Sequence, residues 1–186
     1  LTHTQSDSDM IAARLGGGPP SRVIPVWFDA MSRLLPNVES RPQSARFLVV
    51  GTSSDPRMRE SVSWLLKHVW PAVSGRFPNA TLDLFSVRPE HMGLWSGIPG
   101  VVAHSYVDDL PAVYDDACAL LFPLRSGGYS RHLKVLNAMA RGCPIVMTSE
   151  ANTAEQLQDG VEALIRDDAA GFAQAEQLQR DYLKFL

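Results

Sequence analysis

Six cationic side chains fall in loops, or just beyond them, that a parallel sheet would bring to one rim: Arg57, Arg59, Arg88, Arg125, Arg131 and Lys134. The last of them stands about one helical turn past Arg131, in the first turn of the helix that a paired-glycine loop, Ser126-Gly127-Gly128, feeds, and Ser130 is placed to cap that helix start. A glycine loop feeding a helix leaves backbone N–H groups unpaired, and the helix dipole adds partial positive charge at the same end. That geometry receives phosphate. Cations gathered around it in an otherwise acidic protein point to an anionic ligand, with Lys134 as the phosphate-facing cation. The five histidines carry a weaker signal. His104 and His132 read as structural or surface residues, and His3, His68 and His91 show no pattern. Asp108 and Asp109 read as helix caps, while Glu150 ends a strand at the predicted cleft. No clustered carboxylates and no His/Cys spacing mark a metal site.

The elements that must position these groups centre on residues 120–148. Leu120-Leu121-Phe122 is a short apolar run stopped by Pro123, as expected of a strand buried on both faces. After the glycine loop, Leu133, Leu136 and Ala140 recur at helical spacing beside Val135 and Met139. Gly142 ends that helix, and Pro144-Ile145-Val146-Met147 opens the next strand. Upstream, Phe47-Leu48-Val49-Val50 reads as a strand ending at Gly51, followed by a helix with Val62, Leu65, Leu66, Val69 and Val73 on one face. Further strands are expected at 80–85, 100–103 and 162–165. Helices are expected at 90–95, at 107–117 with Leu110, Val113 and Tyr114 inward, near 153–158, and from Ala169. Alternating strands and helices predict an α/β fold: a Rossmann-like, doubly wound parallel sheet of about six strands with helices on both faces. Ligands of such sheets bind outside the carboxyl ends of the strands, so the loops at 51–59, 86–89, 105–109 and 125–131 matter most.

Length and composition narrow the function classes. The chain has 186 residues, room for one full α/β domain and a short extra segment. Its formal net charge of -3 offers no basic face for nucleic acid. No apolar run approaches the length of a membrane span. The start, LTHTQSDSDM, has neither the charged nor the apolar part of a signal peptide and lacks an initiator Met, as a piece of a longer chain would. Residues 1–45 are irregular, with a short helix expected at 10–15, an edge strand at 22–26 interrupted by Pro25, and Trp27 covering the linker. Cys118 and Cys143 read as buried, reduced residues, which implies a cytoplasmic setting.

The ordered series Phe47-Leu48-Val49-Val50-Gly51, Val69-Trp70-Pro71, Phe77-Pro78-Asn79-Ala80, Val87-Arg88-Pro89, Pro99-Gly100-Val101 and Tyr106-Val107-Asp108-Asp109-Leu110 continues through Phe122-Pro123-Leu124. Leu133-Lys134-Val135-Leu136-Asn137-Ala138-Met139-Ala140, Gly142-Cys143-Pro144-Ile145-Val146 and Asp159-Gly160 complete it. The series resembles the C-terminal, donor-binding half of retaining GT-B glycosyltransferases of the group 1, family 4-like type. The resemblance implies that residues 46–186 form one half of a GT-B fold. It makes residues 1–45 the tail of an N-terminal domain and the interdomain linker.

The resemblance also implies a nucleoside diphosphate sugar as donor and a glycan or lipid-linked acceptor recognised through a missing N-terminal domain. No metal or other cofactor is required, and the full-length enzyme is cytoplasmic or membrane-associated. By position, Arg57, Arg59, Arg88, Gly127, Gly128, Ser130, Arg131 and Lys134 fall to the donor diphosphate. Ser105, Tyr106, Val107 and Asn137 fall to the base and ribose. Four positions depart from the family pattern. Asn137 replaces a glutamate, Ser130 replaces part of a tighter Gly-Thr-Arg arrangement, and Ser86 and Ser105 replace glycines that allow close backbone approach. Two alternatives stay open on that account: a non-catalytic Rossmann-like binding or scaffolding module, and, with a poorer fit at the helix, a nucleotide-sugar epimerase of the same fold.

Overall fold

The structure, a computed structural model, describes residues 45–174 apart from 52, 54 and 128–131, together with 9, 13 and 14. Expectations for the first 44 residues, including the edge strand and Trp27, therefore lie outside the described residues, save that 13 and 14 are helical. Six strands form one wholly parallel sheet: β1 (Arg46–Val50), β2 (Thr81–Phe85), β3 (Val101–Ala103), β4 (Ala119–Phe122), β5 (Ile145–Met147) and β6 (Leu164–Ile165), in the order β3-β2-β1-β4-β5-β6. This is the expected doubly wound Rossmann-like arrangement. β1, β2, β4 and β5 are buried along nearly their whole length, which is why they read as unbroken apolar runs.

The chain steps from β1 toward β3, then returns to the other side of β1 and steps outward from β4 to β6. Right-handed crossovers in opposite directions place their helices on opposite faces. One face carries α1 (Pro56–Trp64), a π-helical stretch (Leu65–Val69) and α2 (Trp70–Arg76). The apolar stripe read from the sequence is real, since Val62, Leu65, Leu66, Val69 and Val73 are all buried. The π-helical stretch stands just before Pro71, which has no N–H to donate and crowds the carbonyl four residues back. The ladder accommodates it with a five-residue bond from the Trp70 N–H to the Leu65 carbonyl. The opposite face carries α4 (Leu133–Ala140), whose inward residues are Val135 and Ala138. Leu133 and Met139, two of the apolar residues in the sequence pattern, are 55% and 39% exposed.

Three further helix expectations need correction. The expected helix at 107–117 shrinks to α3 (Leu110–Val113), capped by the Asp109 carboxylate at the Ala112 N–H, 3.2 Å. After it the backbone bonds shorten to three-residue turns, although Tyr114 is fully buried as expected. The expected helix at 153–158 is instead α5 (Ser149–Asn152), capped by Thr148, and Gln156 at φ 57 stops any continuation. The cap position of α4 belongs to His132, while the expected cap, Ser130, lies outside the described residues. The short helix near 90 is a 3-10 helix (Pro89–Leu94), and α6 (Ala169–Ala173) starts where expected. α6 returns to the α1 face, where Phe172 meets Trp64 edge-on at 5.6 Å.

His104 has the structural role anticipated for it. It stacks on Phe85 at 4.5 Å and bonds the buried Asp83 carboxylate, which also accepts from Arg46 Nε at 2.6 Å. Both cysteines are buried thiols. Among the described residues, no helix is long and apolar enough to cross a membrane.

Two substitutions test this framework. Ser86 holds φ 63, a left-handed conformation that costs a residue with a Cβ about 1–2 kcal/mol. Ser86→Gly is expected to raise stability by up to about 1 kcal/mol, read as a higher urea midpoint at unchanged slope. Thr148 caps α5 at the Ala151 N–H (3.1 Å), and its hydroxyl donates to the Leu124 carbonyl. Thr148→Val removes both bonds inside the core and is expected to cost about 2 kcal/mol in the same measurement.

Candidate functional site

The reversal of direction between β1 and β4 makes a crevice outside their carboxyl ends, the place where sheets of this kind bind ligands. The ladder between these strands holds at Phe47↔Ala119 and Leu48↔Leu120 and is not continued toward those ends. Lys134 reaches this crevice from the first turn of α4. Its Nζ lies 4.7 Å from the centre of the Phe122 ring, at the end of β4, and close against Gly51, at the end of β1. A Cβ on Gly51 would stand 3.0 Å from that nitrogen and 3.1 Å from Met58 Cε, so a side chain there would press both ends outward. Burial lowers the Lys134 ammonium to about 8, against a smaller upward pull from Asp55.

Asp55 was not singled out in the sequence, although Asp55-Pro56 before a helical stretch is a recognisable N-cap signal. Its carboxylate accepts from the Arg57 N–H (2.9 Å), Arg57 Nε (3.1 Å) and Arg57 Nη2 (2.9 Å). The bond to Arg57 holds Asp55 below the usual carboxylate range. Arg57 in turn reaches across to the Gly127 carbonyl, 3.4 Å from Nη1. Gly127 holds φ +78, and a Cβ there would fall 2.0 Å from the same guanidinium nitrogen. Arg57, Lys134, Gly51 and Gly127 thus face one crevice, with the Asp55 carboxylate beside both cations.

The other expected cations do not converge. Arg59 is half-buried, and its guanidinium donates to the Ser53 carbonyl. Arg88 is exposed and pairs with Glu90 at 3.4 Å. Arg125 lies over the Trp64 ring at 4.6 Å. Each has taken a nearby acceptor or ring, as loop arginines do when one is in reach. Arg131, Gly128 and Ser130 lie outside the described residues.

Ser53 is a second residue the sequence reading missed. It is buried, its N–H donates to the Ser86 carbonyl (3.3 Å), its hydroxyl accepts from the Arg88 N–H (2.9 Å), and it meets His91 Nδ1 at 2.9 Å. It ties the loop after β1 to the loop after β2, and so fixes where Asp55 and Arg57 begin. At the end of β3, two strands away, Ser105 is exposed, Tyr106 is 81% exposed and Val107 packs against the core. Asn137 is half-buried on α4, one turn beyond Lys134. Two cations, Arg57 held by the Asp55 carboxylate and Lys134 against Gly51 and the Phe122 ring, can bind an anion and offset charge that develops on it.

Comparison with known proteins agrees with this architecture. TarM from S. aureus, solved with Fondaparinux, alpha-GlcNAc-glycerol and UDP, superposes with a TM-score of 0.72 at 10% identity over 96% of this chain and 36% of TarM. Anabaena HepE, solved with UDP and glucose, gives 0.70 at 14% identity over 98% of this chain and 54% of HepE. WaaG, a glycosyltransferase involved in lipopolysaccharide biosynthesis, gives 0.64 at 15% identity over 100% of this chain and 58% of WaaG. The chain therefore spans between about a third and three fifths of the length of these structures, and at such identities the likeness is one of fold. No curated protein sequence matches the chain. The profile described as glycosyl transferases group 1 matches residues 44–178, most of the chain and all of the sheet. The chain belongs to the group 1 glycosyl transferases and forms a Rossmann-like domain of the GT-B fold.

Proposed function

We propose that this domain is the donor-binding half of a retaining glycosyltransferase that moves a hexose from a nucleoside diphosphate sugar to a glycan or lipid-linked acceptor. The carrying observation is the Lys134 ammonium, held at the β1/β4 switch point against Gly51 and the Phe122 ring. The diphosphate lies in the crevice between Gly51 and Gly127. Lys134 and Arg57 offset the negative charge that builds on it as the glycosidic bond breaks, and they supply the positive charge that a metal ion supplies elsewhere. Arg57 exchanges part of its contact with Asp55 for phosphate oxygens. Asn137 hydrogen-bonds the ribose through its amide, and the exposed Tyr106 ring with Ser105 and Val107 receives the base. Acceptor recognition belongs to a second, N-terminal domain, and the buried thiols Cys118 and Cys143 agree with a cytoplasmic enzyme.

A thermal-shift panel of UDP, GDP and their sugars tests the reading. A ligand at a hundredfold excess over its Kd adds about 2.7 kcal/mol, which is several degrees of Tm for a domain of this size. At least one nucleoside diphosphate is expected to do so, and Lys134→Ala is expected to remove most of the shift. If none acts at millimolar concentration, the domain is a non-catalytic module, as the replacement of glutamate by Asn137 would then explain.

The lysine also sets opposite pH trends for binding and stability. Lys134 is lowered from 10.5 to about 8, so above pH 8 the free domain loses the ammonium that phosphate needs. Affinity for a nucleoside diphosphate is expected to fall about tenfold between pH 7 and 9, following the protonated fraction. In the ligand-free domain the unfolded chain holds this proton more tightly than the folded one. Between pH 8 and 10.5 the wild type should therefore gain stability relative to Lys134→Ala. Calorimetry and urea unfolding across that range read the two trends.

A further inference from the structure

The start of α4 is held by a group far from it in sequence. The Glu155 side chain is 1% exposed, and its Oε1 accepts the backbone N–H of His132, the cap position of α4, at 2.5 Å. The same oxygen lies 3.4 Å from His132 Nδ1 but is not aligned as a hydrogen bond. The His132 ring meets Phe122 edge-on at 4.7 Å, and Lys134 Nζ sits over that same ring, also at 4.7 Å. Glu155, His132, Phe122 and Lys134 thus form one contiguous packed series ending at the crevice.

Glu155 is aimed there by a braced turn. The Asn152 side chain donates to the Leu157 carbonyl (3.0 Å) and accepts from the Leu157 N–H (2.8 Å). Gln156 takes a left-handed φ of 57 and donates its N–H to the Asn152 carbonyl at 2.8 Å. Thr148 caps the helix that leads into this turn. Burying a carboxylate is costly, and a serine or aspartate at the cap position itself would satisfy the end of a helix far more cheaply. The expense makes sense if the location of the helix start matters.

We infer that Glu155 is a positioning residue for the anion site, fixing His132 and, through the shared Phe122 ring, the place of the Lys134 ammonium. The inference rests on the reading of Lys134 as the cation for the diphosphate, yet the place of that nitrogen can be measured without nucleotide. The chain has three lysines, so a sample labelled with 13C-lysine gives a simple NMR spectrum, and Lys134→Arg assigns the signal. The Phe122 ring current should set the Lys134 ε-methylene protons apart from the other two.

Glu155→Gln keeps an acceptor oxygen in place and is expected to leave that signal where it is. Glu155→Ala is expected to move it toward the position of an exposed lysine. Should Glu155→Ala not fold, Glu155→Asp, with a shorter reach, is expected to move it part of the way. A folded Glu155→Ala or Glu155→Asp with an unmoved Lys134 signal overturns the inference.

A double-mutant cycle on UDP binding separates positioning from a merely structural role. Glu155→Ala should weaken UDP about tenfold in the wild-type background and no more than about twofold in Lys134→Ala. Equal losses in both backgrounds would also overturn it. If neither UDP nor GDP binds any variant, the proposed function fails, while the NMR measurement still decides the role of Glu155.

Discussion

An ammonium group taken partly out of water dominates the economy of this domain. Lys134 stands where two buried strands end, against a backbone with no side chain on one side and an aromatic ring on the other. Burial disfavours the charge there, so the fold must hold the group against its own tendency to return to solvent. The sheet order makes the crevice, Gly51 leaves room for the approach, and the first turn of α4 sets the reach. Asp55 tempers the charge from one side and, through Arg57, links it to the glycine loop. These features need one another. A crevice without the lysine would be a polar notch, and a side chain at position 51 would crowd the lysine's end and that of Met58.

How much of this could be read from the chain depended on the distance over which each feature is encoded. The parallel strands were legible because burial on both faces leaves unbroken runs such as Phe47-Leu48-Val49-Val50 and Ala119-Leu120-Leu121-Phe122. The stripe on α1 and its continuation was legible because its period survives even the π-helical stretch before Pro71. Short helices were not. At 107–117 and 153–158 the apolar spacing suits a helix, but a three-residue turn in one case and a left-handed Gln156 in the other decide the backbone. The buried face of α4 is not marked in the chain, because an eight-residue helix holds too few repeats to set Val135 and Ala138 apart from Leu133 and Met139.

The site was legible in part for a related reason. Lys134 and Gly127 belong to one local motif, and the fold brings both to the crevice. Arg88 and Arg125 occupy the right loops and Arg59 the first turn of α1, yet each ends on a close neighbour that a linear pattern does not reveal: Glu90, the Trp64 ring and the Ser53 carbonyl. Asp55, Ser53 and Glu155 were passed over because each acts on a partner brought near only by the fold or by a cap. Ser86 is an intermediate case. The glycine expected there from the resemblance would suit a left-handed backbone, and the chain adopts that conformation with a serine.

The seam between β1 and β4 also bears on how the domain assembles. β1 pairs with β2, and β4 with β5, across single crossover helices, whereas β1 and β4 are separated by the entire first half of the sheet. Closing that longer loop carries the larger entropic cost. The two three-stranded halves can therefore gather first, each around its own helices, and join along the Phe47↔Ala119 and Leu48↔Leu120 register afterwards. The crevice does not exist until that joining has taken place. A ligand seated there would act as a clasp across the last-made joint, delaying its opening while leaving the earlier steps of folding untouched.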